Sequence, residues 1–332
     1  MTELSVVLIS RNQDWNVARL IESVLRETAS LPSKEIVLVD SASTDRTTEI
    51  AATYPITVLK LQPDQRLTAA AGRYVGYKHT TGDLVLFLDG DMELCEGWLD
   101  WALEIMDSRA DVAALCGLVI DRPITPQTPT AEHPQALRAD AAGITEVRHG
   151  GGASMYRRSV LERVGTFNPY LYSDEEPELC LRIRCAGYRI FRLPHPIAHH
   201  YTVPWEALST FLEKRKANIW LGYGQNIRYY LGTPLLWPYL RERGWAMAPA
   251  LILIIGIVAL VVSAVTGQWA FLALWGALIA ILAIGAAVRK RSVRRAFLIL
   301  LRRVLILEGT LRGLLLKPCD RAGYPGRYEV VR

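Results

Sequence analysis

The run Leu84-Val85-Leu86-Phe87-Leu88-Asp89-Gly90-Asp91 carries the decisive signal for the fold. Five apolar residues lead directly into two carboxylates that flank a glycine. Their length and composition are those of a fully buried strand, bounded upstream by Thr81-Gly82-Asp83. Packing gives no reason for two acids at the mouth of such a strand. Hard divalent cations, by contrast, require carboxylate oxygens, and Mg²⁺ usually shares one or two protein carboxylates with substrate phosphates. Gly90 lets the backbone approach a ligand closely. Loop solvation or a helix N-cap would also use an acid pair here, so the neighbouring segments must decide.

Working outward, strand-like and helix-like segments alternate. Ser5–Ile9 is a short apolar run, and Val17, Leu20, Ile21, Val24 and Leu25 fall on one helical face. Ile36–Val39 reads as a second strand, followed by a Ser/Thr-rich turn where Thr44 or Asp45 suits the N-cap of a helix through Ile50. Ile56–Leu61 supplies a third strand, and the Ala-rich Thr68–His79 a helix before Leu84–Leu88. This alternation predicts an α/β fold, a parallel sheet with helices on both faces. Open sheets of this kind bind ligands beyond the carboxyl ends of their strands. Ser10-Arg11-Asn12, Asp40-Ser41 and Asp89-Gly90-Asp91 all fall at such ends. From Ile120 to Arg148 the pattern dissolves into Pro, Thr and Gln, which predicts a long surface loop; regular structure resumes at Gly150.

The 332 residues admit two ordinary domains, or one with appendages. No charged residue occurs between Arg243 and Arg289. Interrupted at Thr266-Gly267-Gln268, this segment forms two apolar stretches of about twenty residues, each long enough to cross a bilayer. Buried core helices are the alternative, but two consecutive uncharged stretches weigh against them. Arg241 and Arg243 precede the hairpin, and Arg289, Lys290, Arg291, Arg294 and Arg295 follow it, so the positive-inside rule places both flanks in the cytoplasm. The apolar run between Glu3 and Arg11 is too short for a secretory signal. Beyond the hairpin, Phe297, Leu300, Val304, Leu307, Leu311 and Leu314 recur at three-four spacing, with Arg295, Arg302, Arg303 and Arg312 largely off that stripe. A helix lying in the membrane interface has this pattern, although an oligomeric seam uses the same spacing. The net charge of +5 resides largely in the last third and speaks for anionic lipid rather than nucleic acid. The five cysteines are odd in number, lack Cys-x-x-Cys spacing, and read as reduced. The expected organisation is a catalytic domain over 1–232, a transmembrane hairpin over 233–288 and a basic amphipathic tail over 289–332.

In order and spacing the motifs resemble the family 2 glycosyltransferases, with their GT-A type of nucleotide-sugar-binding domain. The similarity runs roughly from Ser5 to Tyr201. It rests on Ser5–Asn12, Val39-Asp40-Ser41-Ala42-Ser43-Thr44-Asp45, Leu86–Asp91, Gly150–Arg158, Glu175–Arg184 and Gly187-Tyr188-Arg189-Ile190. The resemblance implies a Rossmann-like mixed sheet, a nucleotide-sugar donor and a Mn²⁺ or Mg²⁺ cofactor. It implies that Asp40 faces the nucleotide base; closing a turn with Ser41 and Ser43 is the alternative. The family usually has a second acid and a glycine where Ser41 and Ala42 stand. Ser10 and Asn12 fall among the implied donor contacts. Asp91 would coordinate the cation, with Asp89 contacting ribose or the metal through water, and His200, which follows the strand-like Tyr188–Leu193, as a further metal or phosphate contact. Such a cation neutralises charge on the leaving diphosphate as the glycosidic bond breaks. Arg66 and Arg73 would approach the diphosphate, although the family usually carries an Arg-Asn pair where Arg73-Tyr74 stands. Gly150-Gly151-Gly152, Gly151 in particular, would lie beneath the donor sugar. In Asp174-Glu175-Glu176-Pro177-Glu178, helix-start chemistry accounts for some of the acids. The resemblance puts Glu176 where the catalytic base stands, with Glu175 and Asp174 as alternatives.

The expectation is therefore a multi-pass protein of the inner membrane with a cytoplasmic catalytic domain and no nucleic-acid partner. It would be an inverting enzyme that moves a single sugar to a lipid-linked saccharide in surface polysaccharide or glycoconjugate biosynthesis. Processive synthases usually carry more spans and a Gln-x-x-Arg-Trp motif, which Glu213-Lys214-Arg215-Lys216-Ala217-Asn218-Ile219-Trp220 does not match. Two alternatives are a polyprenyl-phosphate glycosyltransferase and a non-catalytic membrane scaffold that binds nucleotide sugar.

Overall fold

Strand β1 (Leu4–Ser10) is buried along its whole length, because its two faces feed two separate cores. Val6 and Leu8 point into one cluster and Val7 and Ile9 into the other. β4 (Leu84–Asp89) divides in the same way, with Leu84, Leu86 and Leu88 against Val85 and Phe87. Continuous apolar runs are what strands covered on both faces require. The computed structural model describes residues 3–124, 143–202 and 208–332.

The chain divides into two units, Met1–Val203 with Cys319–Arg332, and Pro204–Pro318. In the first, β1 leads to α1 (Val17–Glu27), β2 (Lys34–Asp40), α2 (Thr47–Ala51), β3 (Thr57–Leu61) and α3 (Ala69–His79), then β4. These four strands pair in parallel in the order β3-β2-β1-β4. After β4 come β5 (Met92–Leu94), α4 (Trp98–Ser108), β6 (Val112–Pro123), β7 (Thr145–Glu146), β8 (Ser154–Arg157), α5 (Arg158–Val164), α6 (Glu175–Cys185) and β9 (Arg189–Thr202). β8 runs antiparallel to both β4 and β6, so the sheet is mixed. Helices α1 and α4 fill one core, and α3, α5 and α6 the other. The predicted alternation over the first ninety or so residues matches the structure within a few residues at each boundary.

Two sequence expectations are corrected. The strand-like Tyr188–Leu193 extends as β9 through Pro194 and Pro196 to Thr202, pairing with β6 in parallel and with β5 in antiparallel. The expected loop over 120–148 is narrower, since β6 continues to Pro123 and β7 occupies Thr145–Glu146; residues 125–142 lie outside the described ones.

The second unit holds α7 (Leu208–Lys216), α8 (Gly222–Tyr230), α9 (Leu236–Arg243), α10 (Ala248–Thr266), α11 (Ala270–Lys290) and α12 (Val293–Leu315). Leu236–Thr266 and Ala270–Arg289 are long and apolar enough to cross a membrane, with mean hydropathies of 2.8 and 2.5, and almost none of either is buried. α10 and α11 meet where Gly256 leaves room for Trp275, whose Nε1 donates to the Ile252 carbonyl at 3.0 Å. α12 docks on α8 through small residues: a Cβ on Gly313 would lie 2.2 Å from the Leu221 carbonyl, and one on Gly224 1.9 Å from that of Thr310. Its large residues Phe297, Leu300, Val304 and Leu311 stay exposed, as the predicted stripe requires, while Leu307 is buried.

The units are bounded at 203/204 and 318/319, so the stretch 289–332 belongs to both. Residues 319–332 return to the first unit, where β10 (Tyr328–Val330) pairs antiparallel with β3.

Candidate active site

Register alone brings the polar strand ends together. β1 pairs with β2 and β4 so that Ser10 lies opposite Asp40, and Ile9 opposite Asp89. The loops that follow are laced to one another. Asn12 N–H donates to Ser43 Oγ at 2.8 Å, Gln13 N–H to Thr47 Oγ1 at 2.8 Å, and Thr44 N–H to Asn12 Oδ1 at 2.9 Å. Asn12 and Ala42 both take left-handed backbone, φ 54° and 55°, a conformation costly for alanine. Asn16 is buried, and its Nδ2 donates to the carbonyls of Gly90 at 3.0 Å and Met92 at 2.9 Å, which fixes the turn carrying Asp91.

Asp89 ends β4 with its side chain toward α3 and α6. Arg73, on α3 and 1% exposed, donates through Nη2 to Asp89 Oδ1 at 2.6 Å and through Nη1 to Glu175 Oε1 at 2.7 Å. The same Nη2 lies 3.0 Å from Glu176 Oε1, and Phe167 lies under the guanidinium, 5.5 Å from it. Three carboxylates therefore share one buried cation. Burial opposes the charge on Arg73, but Asp89, Glu176 and Glu175 outweigh it and hold its pKa above the ordinary arginine range. Burial pushes the Asp89 carboxyl up to about 6, with Arg73 pulling the other way. Glu175 is also raised, by burial and then by the charge of Glu176. Gly152 closes this side: a Cβ there would lie 2.3 Å from Asp89 Oδ2.

Asp91 faces β9. Its Oδ2 is 3.4 Å from His200 Nε2, and His200 Nδ1 is 2.8 Å from Asp121 Oδ1. Hydrogen bonding to Asp91 raises the His200 pKa to about 9, against the opposing effect of burial. Among the described residues, Asp91 Oδ1 is buried without a partner, as are Ser10 Oγ and Gln13 Oε1 beside the Gly90 turn. Orphaned acceptors of this kind are costly unless a ligand satisfies them.

The other expected site residues fall as follows. Asp40 is fully buried and directs both oxygens to Ser43, one to its N–H at 2.7 Å and the other to its hydroxyl. Burial nonetheless raises its pKa. Arg66 binds the Tyr170 carbonyl at 2.7 Å and stacks over Tyr172 at 4.9 Å. Gly151 takes φ 99° with open space beside it, and its carbonyl accepts from Ser154 Oγ at 3.1 Å. Asp174 caps α6 in left-handed backbone, φ 61°, and its carbonyl accepts from Glu178 N–H at 3.2 Å. Glu178 serves structure: with Arg182 it forms a buried pair at 2.7 Å, and Arg182 also donates to the Thr166 carbonyl at 2.9 Å.

Residues 5–165 match the family model described as "Glycosyl transferase family 2". The chain carries a family 2 glycosyltransferase domain. An uncharacterized glycosyltransferase of Haemophilus influenzae is 26% identical over 192 residues, covering 54% of this chain and 61% of that one. Polypeptide N-acetylgalactosaminyltransferase 6 of Bos taurus is 23% identical over 230 residues, covering 59% and 37%. The chain thus spans less than two thirds of either curated relative. Among solved structures, the mannosyltransferase PcManGT of Pyrobaculum calidifontis, in complex with GDP-Man and Mn²⁺, is 19% identical. Its TM-score is 0.62, with 95% of this chain and 87% of that one covered, a likeness of fold.

Within this family 2 domain, sequence reasoning missed Asn16, Gln13, Phe167 and Asp121. Only Asp121 had a visible signal, an acid just beyond an apolar run; Asn16 acts through backbone carbonyls, Phe167 through a ring face and Gln13 through its backbone N–H and side-chain oxygen, which leave no spacing pattern.

Proposed function

We propose that the chain transfers a single sugar from a nucleoside-diphosphate sugar to a lipid-linked saccharide hydroxyl, inverting the anomeric centre. One observation carries this reading: Arg73 ties the strand-end acid Asp89 to the acid pair of α6, with Asp91 adjacent and an orphaned oxygen on it. A leaving-group site and a proton acceptor are the two parts a displacement at the anomeric carbon needs.

Asp91 and His200, the latter once a cation displaces its ring proton, fit Mn²⁺ or Mg²⁺, and the Asp91 Oδ1 left without a partner among the described residues supports that fit. No group of three or more His, Cys, Asp or Glu is arranged for a metal among the described residues, which suits an ion that takes its remaining ligands from phosphates. When bound, it would neutralise charge on the departing diphosphate. Donor groups would satisfy Ser10 Oγ and Gln13 Oε1, and the open backbone at Gly151 leaves room for the sugar. The acceptor oxygen attacks the anomeric carbon as the bond to the diphosphate breaks, and its proton passes to Glu176. Glu176 is the more accessible acid, its side chain 16% exposed against 7% for Glu175. GDP-Man in the PcManGT complex supports a nucleotide-sugar donor without naming the one used here. The two apolar helices and their arginine-rich flanks support a catalytic unit on the cytoplasmic side of a membrane and an acceptor carried in that membrane.

The test is donor turnover in the presence of Mn²⁺. Asp91→Ala should lower it by at least about 100-fold, and release of nucleoside diphosphate unchanged by Asp91→Ala would contradict the proposal. Glu176→Gln should cost about 10²–10⁴-fold. Because Arg73 already engages Glu176, a polyprenyl-phosphate acceptor, which needs no base, remains the second reading. Near-normal transfer by Glu176→Gln would select it.

A further inference from the structure

The segment 319–332 does more than close a sheet edge. Tyr324 is buried, 6% exposed, and its hydroxyl donates to the Arg66 carbonyl at 2.6 Å. Its ring meets Tyr74 edge-on at 5.9 Å and Tyr170 at 5.5 Å. Tyr74 is the residue after Arg73 on α3. Tyr170 returns the contact by donating from its hydroxyl to the Gly323 carbonyl at 3.0 Å, while its own carbonyl accepts from Arg66. Nearby, Arg321 Nη1 donates to the Thr166 carbonyl at 3.3 Å, next to the Phe167 that underlies Arg73. One short stretch therefore grips both walls that hold the Arg73 guanidinium: the start of α3 and the Thr166–Tyr172 segment.

We propose that Tyr324 is a positioning residue for the site, locking the Arg66 loop, α3 and the Thr166–Tyr172 segment together so that Arg73 holds Asp89 and Glu176 in register. The proposal rests on the nucleotide-sugar reading above. β10 anchors this stretch from the far side, where Val331 N–H donates to the Val58 carbonyl at 2.8 Å and Arg327 pairs with Asp64 at 2.6 Å. That anchoring is separable. Val331 makes its bond away from Arg66, Tyr74 and Tyr170, so its loss weakens the sheet edge without moving the site.

The experiment compares kcat, donor KM and melting temperature of the full-length protein with those of Tyr324→Ala, Tyr324→Phe and Val331→Pro. Small misplacements of a site cost up to about 100-fold. Tyr324→Ala should lose about 10–100-fold in kcat/KM by that measure, and Tyr324→Phe, which keeps the ring contacts, should recover most of it. Val331→Pro should lower the melting temperature while leaving kcat/KM close to wild type. Should Tyr324→Ala fail to fold, Tyr170→Phe, which removes the bond to Gly323 and keeps the ring, should lose several-fold at an unchanged melting temperature. Wild-type kinetics in Tyr324→Ala or Tyr170→Phe, or a Val331→Pro loss equal to that of Tyr324→Ala, would overturn the positioning role and leave the site reading standing. A wild-type chain that neither binds nor turns over any nucleotide sugar would overturn both.

Discussion

Arg73 shows how a single residue can set the chemistry around it. As a solvated arginine it would be unremarked, yet at 1% exposure it pairs with three carboxylates from two elements. Removing the cation strands those charges, and breaking a buried ion pair from one side costs about 3–5 kcal/mol. Arg73→Met should therefore lower stability by an amount of that order, measured by denaturant unfolding of the purified protein. Gly152 acts by being small. Gly152→Ala would place a Cβ 2.3 Å from Asp89 Oδ2, so donor turnover should fall by about 100-fold while the sheet, read by circular dichroism, is retained. Asp40 makes the opposite point. The resemblance assigns it to the nucleotide base, and its burial and two bonds to Ser43 also hold the turn that carries Ser41 and Ser43.

At the scale of elements, periodicity made most of the first unit legible. Strands covered on both faces are continuous apolar runs, and α1 carries its buried residues at helical spacing, so β1 to β4 and their helices could be located from the sequence. The close approach of α3 to β1 could not. It depends on Gly76, where a Cβ would lie 2.2 Å from Val7 Cγ1. Gly76→Ala should destabilise by about 1–3 kcal/mol through overpacking, seen as a lower melting temperature. β9 was illegible for a different reason. Pro194 and Pro196 interrupt the strand pattern after Leu193, and only pairing with β6 and β5 carries it on to His200. Sequence splits the acid cluster of α6 between helix-start chemistry and a base without saying which acid does which, and structure gives each its partner. Glu178 belongs to Arg182 and Glu175 and Glu176 to Arg73, a distinction that needs the positions of cations from distant elements.

On the scale of the whole molecule, the second unit is an insertion in the chain of the first, since 319–332 rejoin the first unit. Three exposed residues forming β10 carry no periodic signal, which is why the sequence pattern left them in a tail. The hairpin, by contrast, was plain from its missing charges, and its helices have the length and exposure of lipid-facing spans. Intact protein should resist extraction from membranes by alkaline carbonate; release into the soluble fraction would mean that those helices bury their faces elsewhere. The central claim is that Asp91 seats the cation and diphosphate of a nucleotide-sugar donor. Titration calorimetry of the purified full-length chain with nucleoside diphosphates, with and without Mn²⁺, tests it most directly. Binding should require Mn²⁺ and be lost in Asp91→Asn. Equal binding without the metal, or in Asp91→Asn, would contradict it.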